Sequence, residues 1–287
     1  MKTFKASELI LNDDGSIYHL SIKPQDLAPT IITVGDPNRV SMVSDCFDSV
    51  EFKKSAREFV THTGTYKGHR ISVISTGIGA DNIDIVFNEL DALVNIDFST
   101  RSLKEELTSL KIFRIGTSGS IDDSVDIDSF LVSEKAIGFD QTLKFYTEED
   151  PSFIEDFKKQ TALNSLRPYL ASADPHLLSW FDSVEFHKGL TATFVGFYGP
   201  QGRELRLPSN TPNFIDQLLK YRLNEGSVTN LEMETSAIYG FSSLMGHQAV
   251  SLNCILAQRT KGSFSNDPQS SIQRLITKTL DIIASNL

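Results

Sequence analysis

Short β-branched and apolar runs recur along the chain, at 30–34, 71–74, 111–115, 130–132, 191–195 and 250–256. Their length and side-chain types suit strands covered on both faces, where continuous apolar sequence replaces alternation. Helical spacing lies between several of them. Within 82–97, Ile83, Val86, Leu90, Leu93 and Val94 recur at intervals of three and four, so one helix face is apolar. Ile272, Leu275, Ile276, Leu280 and Ile283 repeat that spacing near the C-terminus, and Asp267-Pro268 offers a start for this last helix. Residues 57–67 and 70–74 flank Gly68-His69 and predict a hairpin. Strands alternating with helices predict an α/β fold with a central mixed β-sheet flanked by helices.

At 287 residues, 40% of them hydrophobic, the chain can build one large α/β domain. A two-domain reading stays open on length alone, but no linker rich in Pro, Gly or Ser divides the sequence. The first residues lack the apolar core of a signal peptide, and no apolar run is long enough to span a bilayer, so a cytoplasmic protein with no membrane partner is expected. Cys46 and Cys254 cannot make a disulfide framework, and no Cys/His spacing suggests a metal site. A net charge of −10 argues against nucleic acid as a partner, which needs an extended basic face.

Two stretches stand out against that acidity. Gly35-Asp36-Pro37-Asn38-Arg39 follows the run at 30–34, and Arg114-Ile115-Gly116-Thr117-Ser118-Gly119-Ser120 follows Lys111-Ile112-Phe113. Each predicts a strand that turns through glycine beside an arginine. Glycine lets backbone N–H groups approach an anion closely, hydroxyls donate further, and arginine supplies a planar fork of charge-assisted donors. Either alone suits an ordinary strand-ending turn. The pair, at the strand ends where open α/β sheets gather ligands, favours a site for a small oxyanion such as phosphate.

Two further segments carry candidate chemistry. Glu232 and Glu234 are two apart, which shares a face on a strand but not on a helix, and Thr235 or Ser236 is placed to cap a helix beginning there. A carboxylate at that junction can accept from a ribose diol; acids complementing a helix dipole are the plainer reading. In Phe197-Tyr198-Gly199-Pro200-Gln201-Gly202-Arg203, an aromatic precedes two planar polar side chains that together match the carbonyl, N–H and carbonyl of a pyrimidine imide edge. An incidental polar loop is the alternative. His19 has no local metal partner and defaults to a structural histidine, and Arg57-Glu58 to a surface charge pair.

As an ordered set, these segments resemble the nucleoside phosphorylase superfamily, most closely the bacterial uridine phosphorylases, from about His19 to the last helix. The set is Gly-Asp-Pro-Asn-Arg at 35–39, Arg-Glu-Phe at 57–59, Ser-Thr-Gly-Ile-Gly at 75–79, Arg-Ile-Gly-Thr-Ser-Gly at 114–119, the loop at 197–203, Glu-Met-Glu at 232–234 and Gln-Arg-Thr at 258–260. The resemblance implies a single domain over 1–287, with 1–18 as an N-terminal extension, and a pentosyltransferase of pyrimidine salvage. Its reaction would be reversible phosphorolysis of uridine to uracil and ribose 1-phosphate. It implies phosphate binding by Gly35, Arg39, Arg114 and Thr117, with Arg57 supplied by a neighbouring subunit. Ribose would fall to Met233 and Glu234, with Glu232 nearby and His19, also from the neighbour, on the 5′-hydroxyl. The base would meet Gly119, Phe197, Gln201, Arg203 and Arg259. Arg39, Gln201, Arg203 and Glu234 are the residues implied in catalysis. The purine branch of the family would instead have an aspartate after serine near 259.

The same resemblance implies a homo-oligomer with sites shared across a dimer interface, a hexamer of dimers, and no cofactor beyond phosphate as co-substrate. Some family members hold a monovalent cation through a Glu, a carbonyl and a serine; Glu58 and Ile78 match, but Asn82 stands at the serine position. Residues 261–271 would form a mobile flap, and 95–108 a surface insertion longer than in the bacterial enzymes. A purine nucleoside phosphorylase, a nucleosidase using water and an inactive nucleoside-binding relative are the competing readings.

Overall fold

The computed structural model describes residues 2–211 and 213–287. Its first half comprises β1 (Thr30–Val34), α1 (Pro37–Ser44), β2 (Ser49–Ala56), β3 (Phe59–Tyr66), β4 (His69–Ser75), α2 (Ala80–Asn95), β5 (Ile96–Asp97), β6 (Ser102–Leu103), β7 (Lys111–Ser120) and β8 (Phe130–Gly138). There follow α3 (Pro151–Gln160), β9 (Tyr169–Ser172), α4 (Pro175–Ser179), β10 (Phe186–Thr193), α5 (Phe214–Leu218), β11 (Arg222–Leu223) and β12 (Gly226–Glu232). The chain ends with α6 (Thr235–Met245), β13 (Gln248–Gln258), β14 (Ser263–Phe264) and α7 (Pro268–Asn286).

The expected mixed α/β architecture is what forms. The main sheet runs β11-β12-β10-β8-β13-β7-β1-β4-β3-β2. β12 pairs with β10 on one side and, antiparallel, with β7 on the other, so five strands (β12, β10, β8, β13, β7) close on themselves. β1, β4, β3 and β2 extend from β7 as a parallel then antiparallel wing. β1 is buried at every position, which is why its sequence is an unbroken Thr-Ile-Ile-Thr-Val run. The predicted hairpin is β3–β4, joined by Lys67 (φ +48°) and Gly68 (φ +84°), the pair of left-handed residues that a tight two-residue turn needs. α7 starts at Pro268 with Asp267 accepting from the Ser270 N–H, and it buries Ile272, Leu275, Ile276, Leu280 and Ile283.

One expectation changes, and two gain detail. Arg114–Ser120 does not turn: β7 runs straight through it to Ser120, paired along its length with β13. Its glycines provide room for side chains. A Cβ at Gly116 would collide with the folded-back guanidinium of Arg114, and one at Gly119 would sit 3.3 Å from Cγ of Arg259. The flap segment 261–271 is folded into β14, antiparallel to β13, and the first turn of α7; Ser265 and Ser271 both donate to Asp128, at 2.6 and 2.7 Å. Within 95–108, β5 and β6 form a small hairpin that seats the N-terminal segment: Ser102 bridges Thr3, and Arg101 donates to the Phe4 carbonyl at 3.2 Å. Among the described residues no helix is long and apolar enough to cross a membrane.

Candidate active site

Strand β1 ends at Val34, just before Gly35, and Asp36 caps α1 by accepting from the Asn38 N–H at 2.9 Å, with Pro37 in the first turn. This corner delivers Arg39, which donates to the carbonyl of Ile115 on β7 at 3.2 Å. Arg114 lies beside it in the sheet, in register with Thr33 of β1 and Ser251 of β13. Its guanidinium is buried, donating to Asn253 Oδ1 at 2.9 Å and to Glu234 Oε2 at 2.7 Å, with Glu232 Oε2 at 3.0 Å. Burial opposes the charge on Arg114, yet its pKa is raised because Glu232 and Glu234 hold it. Arg39 is shifted the other way, by burial first and by the charge of Arg114 second. An anion between the two would relieve both costs on Arg39. Thr117 is half-buried two residues beyond the Ile115 carbonyl, opposite Cys254 in the β13 register.

The two acids have different jobs. Glu234 is the last residue before α6, and its Oε1 accepts from the N–H of Gly79 at 2.8 Å. Gly79 adopts φ +102°, a conformation that favours glycine, at the start of α2. Burial, countered by Arg114, pushes the Glu234 carboxyl up. Glu232, expected beside the sugar, is instead used up inside the protein. Both its oxygens accept from Thr235 N–H (2.9 and 3.1 Å), one from Glu234 N–H (2.9 Å), and the Thr193 hydroxyl donates to it at short range. The cap position of α6 is Glu234, not Thr235 or Ser236, and the Glu232 carboxylate takes up the N–H groups at that helix start. Thr235 turns to the Ser251 hydroxyl and Ser236 to Tyr169. Met233, between the acids, is half-buried.

The loop after β10 is cross-tied. Arg203 donates to Gln201 Oε1 at 2.7 Å and to the Phe197 carbonyl at 2.6 Å, and its guanidinium lies 3.7 Å from the centre of the Phe197 ring. Arg259 donates to the Gln201 carbonyl at 2.7 Å while its stem crosses Gly119. Gln201 is buried, whereas the Phe197 ring is half exposed. Burial, with the charge of Arg259 beside it, brings Arg203 down to about 10. A cleft of about 630 Å³ lined by Tyr198, Arg203, Leu205 and Leu207 opens next to this loop. The loop joins the acids through Thr193, and Gly119 pairs with Leu231 just before them.

Arg57 and His19 lie together, apart from that cluster. Arg57 occupies the tip between β2 and β3 with φ +57° and stands 5.6 Å from the centre of the Tyr18 ring, which packs edge-on against His19. Among the described residues no hydrogen bond or ion pair links either to Arg39, Arg114 or Glu234. At the positions matching the family's monovalent-cation ligands, the Asn82 amide donates to the Ile78 carbonyl at 3.4 Å. Asn253, Thr193 and the Ile115 carbonyl were not anticipated. Only Asn253 left a trace, as a polar residue inside an apolar run.

With this geometry in view, comparison with known proteins gives the class. The chain belongs to the phosphorylase superfamily, whose family model matches residues 29–285. It is 28% identical to a uridine phosphorylase of Thermococcus kodakarensis over 287 aligned positions, covering 99% of this chain and 92% of that protein. It is 27% identical to a DeoD-type purine nucleoside phosphorylase of Streptococcus suis, covering 83% and 84%. Among solved structures, a Trypanosoma brucei nucleoside phosphorylase described as showing uridine phosphorylase activity superposes with a TM-score of 0.87 and 32% identity, over 97% of this chain and 100% of that one.

Proposed function

We propose that the protein is a pentosyltransferase that catalyses reversible phosphorolysis of uridine, with uracil and ribose 1-phosphate as products. The observation that carries this reading is the tied loop of Phe197, Gln201, Arg203 and Arg259, set beside the Arg39–Arg114–Glu234 cluster. The Thermococcus and Trypanosoma relatives support uridine as the nucleoside.

In this account phosphate enters beside Arg39 and Arg114, with Gly35 and Thr117 at its edges, and meets the anomeric carbon as nucleophile. Breaking the C1′–N1 bond builds positive charge on the sugar and negative charge on the base. Phosphate offsets the first. Gln201, Arg203 and Arg259 offset the second at the base oxygens, with Phe197 on the ring face and Gly119 below. This is positioning plus electrostatic stabilisation, with no covalent enzyme intermediate. Glu234 accepts from the ribose hydroxyls once phosphate competes for Arg114, with Met233 beside the sugar, and Glu232 holds Arg114 and α6 in place.

Arg57 and His19 serve the site of a neighbouring subunit, Arg57 on phosphate and His19 on the 5′-hydroxyl. A homo-oligomer of at least two subunits follows from that sharing, and the family resemblance suggests a hexamer built from such dimers. The whole chain acts as one domain, in the cytoplasm. Uridine, deoxyuridine, thymidine, inosine and adenosine incubated with and without phosphate, followed by chromatography of the released bases, test the reading. Phosphate-dependent uracil release is expected. Release of purines only, or release that ignores phosphate, would defeat it in favour of a purine enzyme or a nucleosidase.

A further inference from the structure

The imidazole of His19 is held by a single carboxylate. Nδ1 lies 2.6 Å from Glu89 Oε1, and the same carboxylate accepts from the backbone N–H of His19 (2.9 and 3.1 Å) and of Leu20 (2.8 Å). Glu89 sits on α2, 70 residues away in sequence, with 11% of its side chain exposed, while that of His19 is 29% exposed. Around it, Leu20 and Ile22 are buried in the core and Ser21 adopts φ +52°, so the turn carrying His19 has little freedom to move away. Tyr18 and Phe59 meet the ring edge-on, at 4.7 and 6.5 Å between centroids. Glu89 is placed to orient a ring, and it is more elaborate than a turn alone requires.

We propose that Glu89 is a positioning residue that sets both the direction and the tautomer of His19, and through it the enzyme's selectivity for nucleosides bearing a 5′-hydroxyl. An ionised carboxylate only accepts, so the ring proton sits on Nδ1. Nε2, on the opposite edge and with no partner among the described residues, keeps its lone pair. A 5′-hydroxyl donates to that lone pair. The inference rests on the nucleoside reading above for its substrate, but its structural half, the tautomer, stands without it.

The Glu89→Gln variant separates orientation from mere anchoring. An amide keeps one oxygen for the two backbone N–H groups and turns its NH₂ toward Nδ1. That moves the ring proton to Nε2 and leaves the substrate hydroxyl's own proton without an acceptor. The preference for uridine over 5′-deoxyuridine, taken as the ratio of kcat/KM values, is expected to fall about three- to tenfold, the worth of one hydrogen bond. His19→Ala should lower the ratio similarly, and the double variant no further. Nitrogen chemical shifts of the His19 ring should report Nδ1–H in the native protein and Nε2–H in Glu89→Gln; thermal melts confirm that each variant is folded. An unchanged ratio, an equal loss on both nucleosides, or Nε2–H in the native protein would overturn the proposal. Native protein that cleaves neither nucleoside would defeat the phosphorylase reading instead, and the ring shifts would still decide what Glu89 does.

Discussion

The Arg114 cluster and the Arg57–His19 patch are both expected to meet the same substrates, yet they are built in opposite ways. Arg114 is buried among Glu232, Glu234 and Asn253, on strands whose register fixes each partner. Arg57 is exposed at a hairpin tip, resting on an aromatic ring. A buried ion pair is organised in advance, and its cost is met during folding. An exposed arginine at a tip acquires its partner only when something docks against it. On the proposed reading, folding completes one half of the site and assembly of subunits the other.

Breaking the first half should have the largest effect. Arg114→Ala leaves two carboxylates buried side by side and should cost about 3–5 kcal/mol in stability, the usual penalty for an orphaned buried charge, together with all measurable turnover. Urea denaturation and a uridine assay read the two losses. A stable Arg114→Ala protein would mean that the acids are held elsewhere. Arg203→Ala should stay folded and lose about 10²–10³ in kcat/KM on uridine, by analogy with removal of one oxyanion donor; unchanged kcat/KM removes Arg203 from the mechanism.

The second half should respond differently. Arg57→Ala should lose about 10- to 100-fold in kcat/KM for phosphate, the value of one charge-assisted hydrogen bond, with little change in stability. Co-expressing it with Glu234→Ala should restore part of the activity, because mixed oligomers contain sites with neither lesion. No recovery would place Arg57 in its own chain's site. The smallest effect is expected from Gly119→Ala, whose methyl would press on Arg259 at 3.3 Å and loosen it from the Gln201 carbonyl. A rise in KM for uridine of about threefold, with kcat nearly kept, is expected.

Much of this was legible in sequence because it depends on local rules. β1, the β3–β4 hairpin and α7 follow from apolar runs, a turn marked by Gly68 and an Asp-Pro start, although the turn residues are Lys67 and Gly68 rather than the expected Gly68 and His69. What was not legible depends on residues far apart in the chain. Gly116 and Gly119 look like turn residues, and only the folded position of the Arg114 and Arg259 side chains reveals them as spaces inside a strand. Glu232 looks like a second sugar acid until Thr193 and the N–H groups of Glu234 and Thr235 are seen to consume it. The segment 261–271 has the composition of a loose loop, and its anchor, Asp128, lies well over a hundred residues earlier.

The central claim is that phosphate itself attacks the sugar. The most direct measurement follows radiolabelled phosphate incubated with uridine and the protein, with sugar phosphates and bases separated by chromatography. One labelled ribose 1-phosphate for each uracil released is the predicted result. Uracil accompanied by unlabelled free ribose would contradict the account.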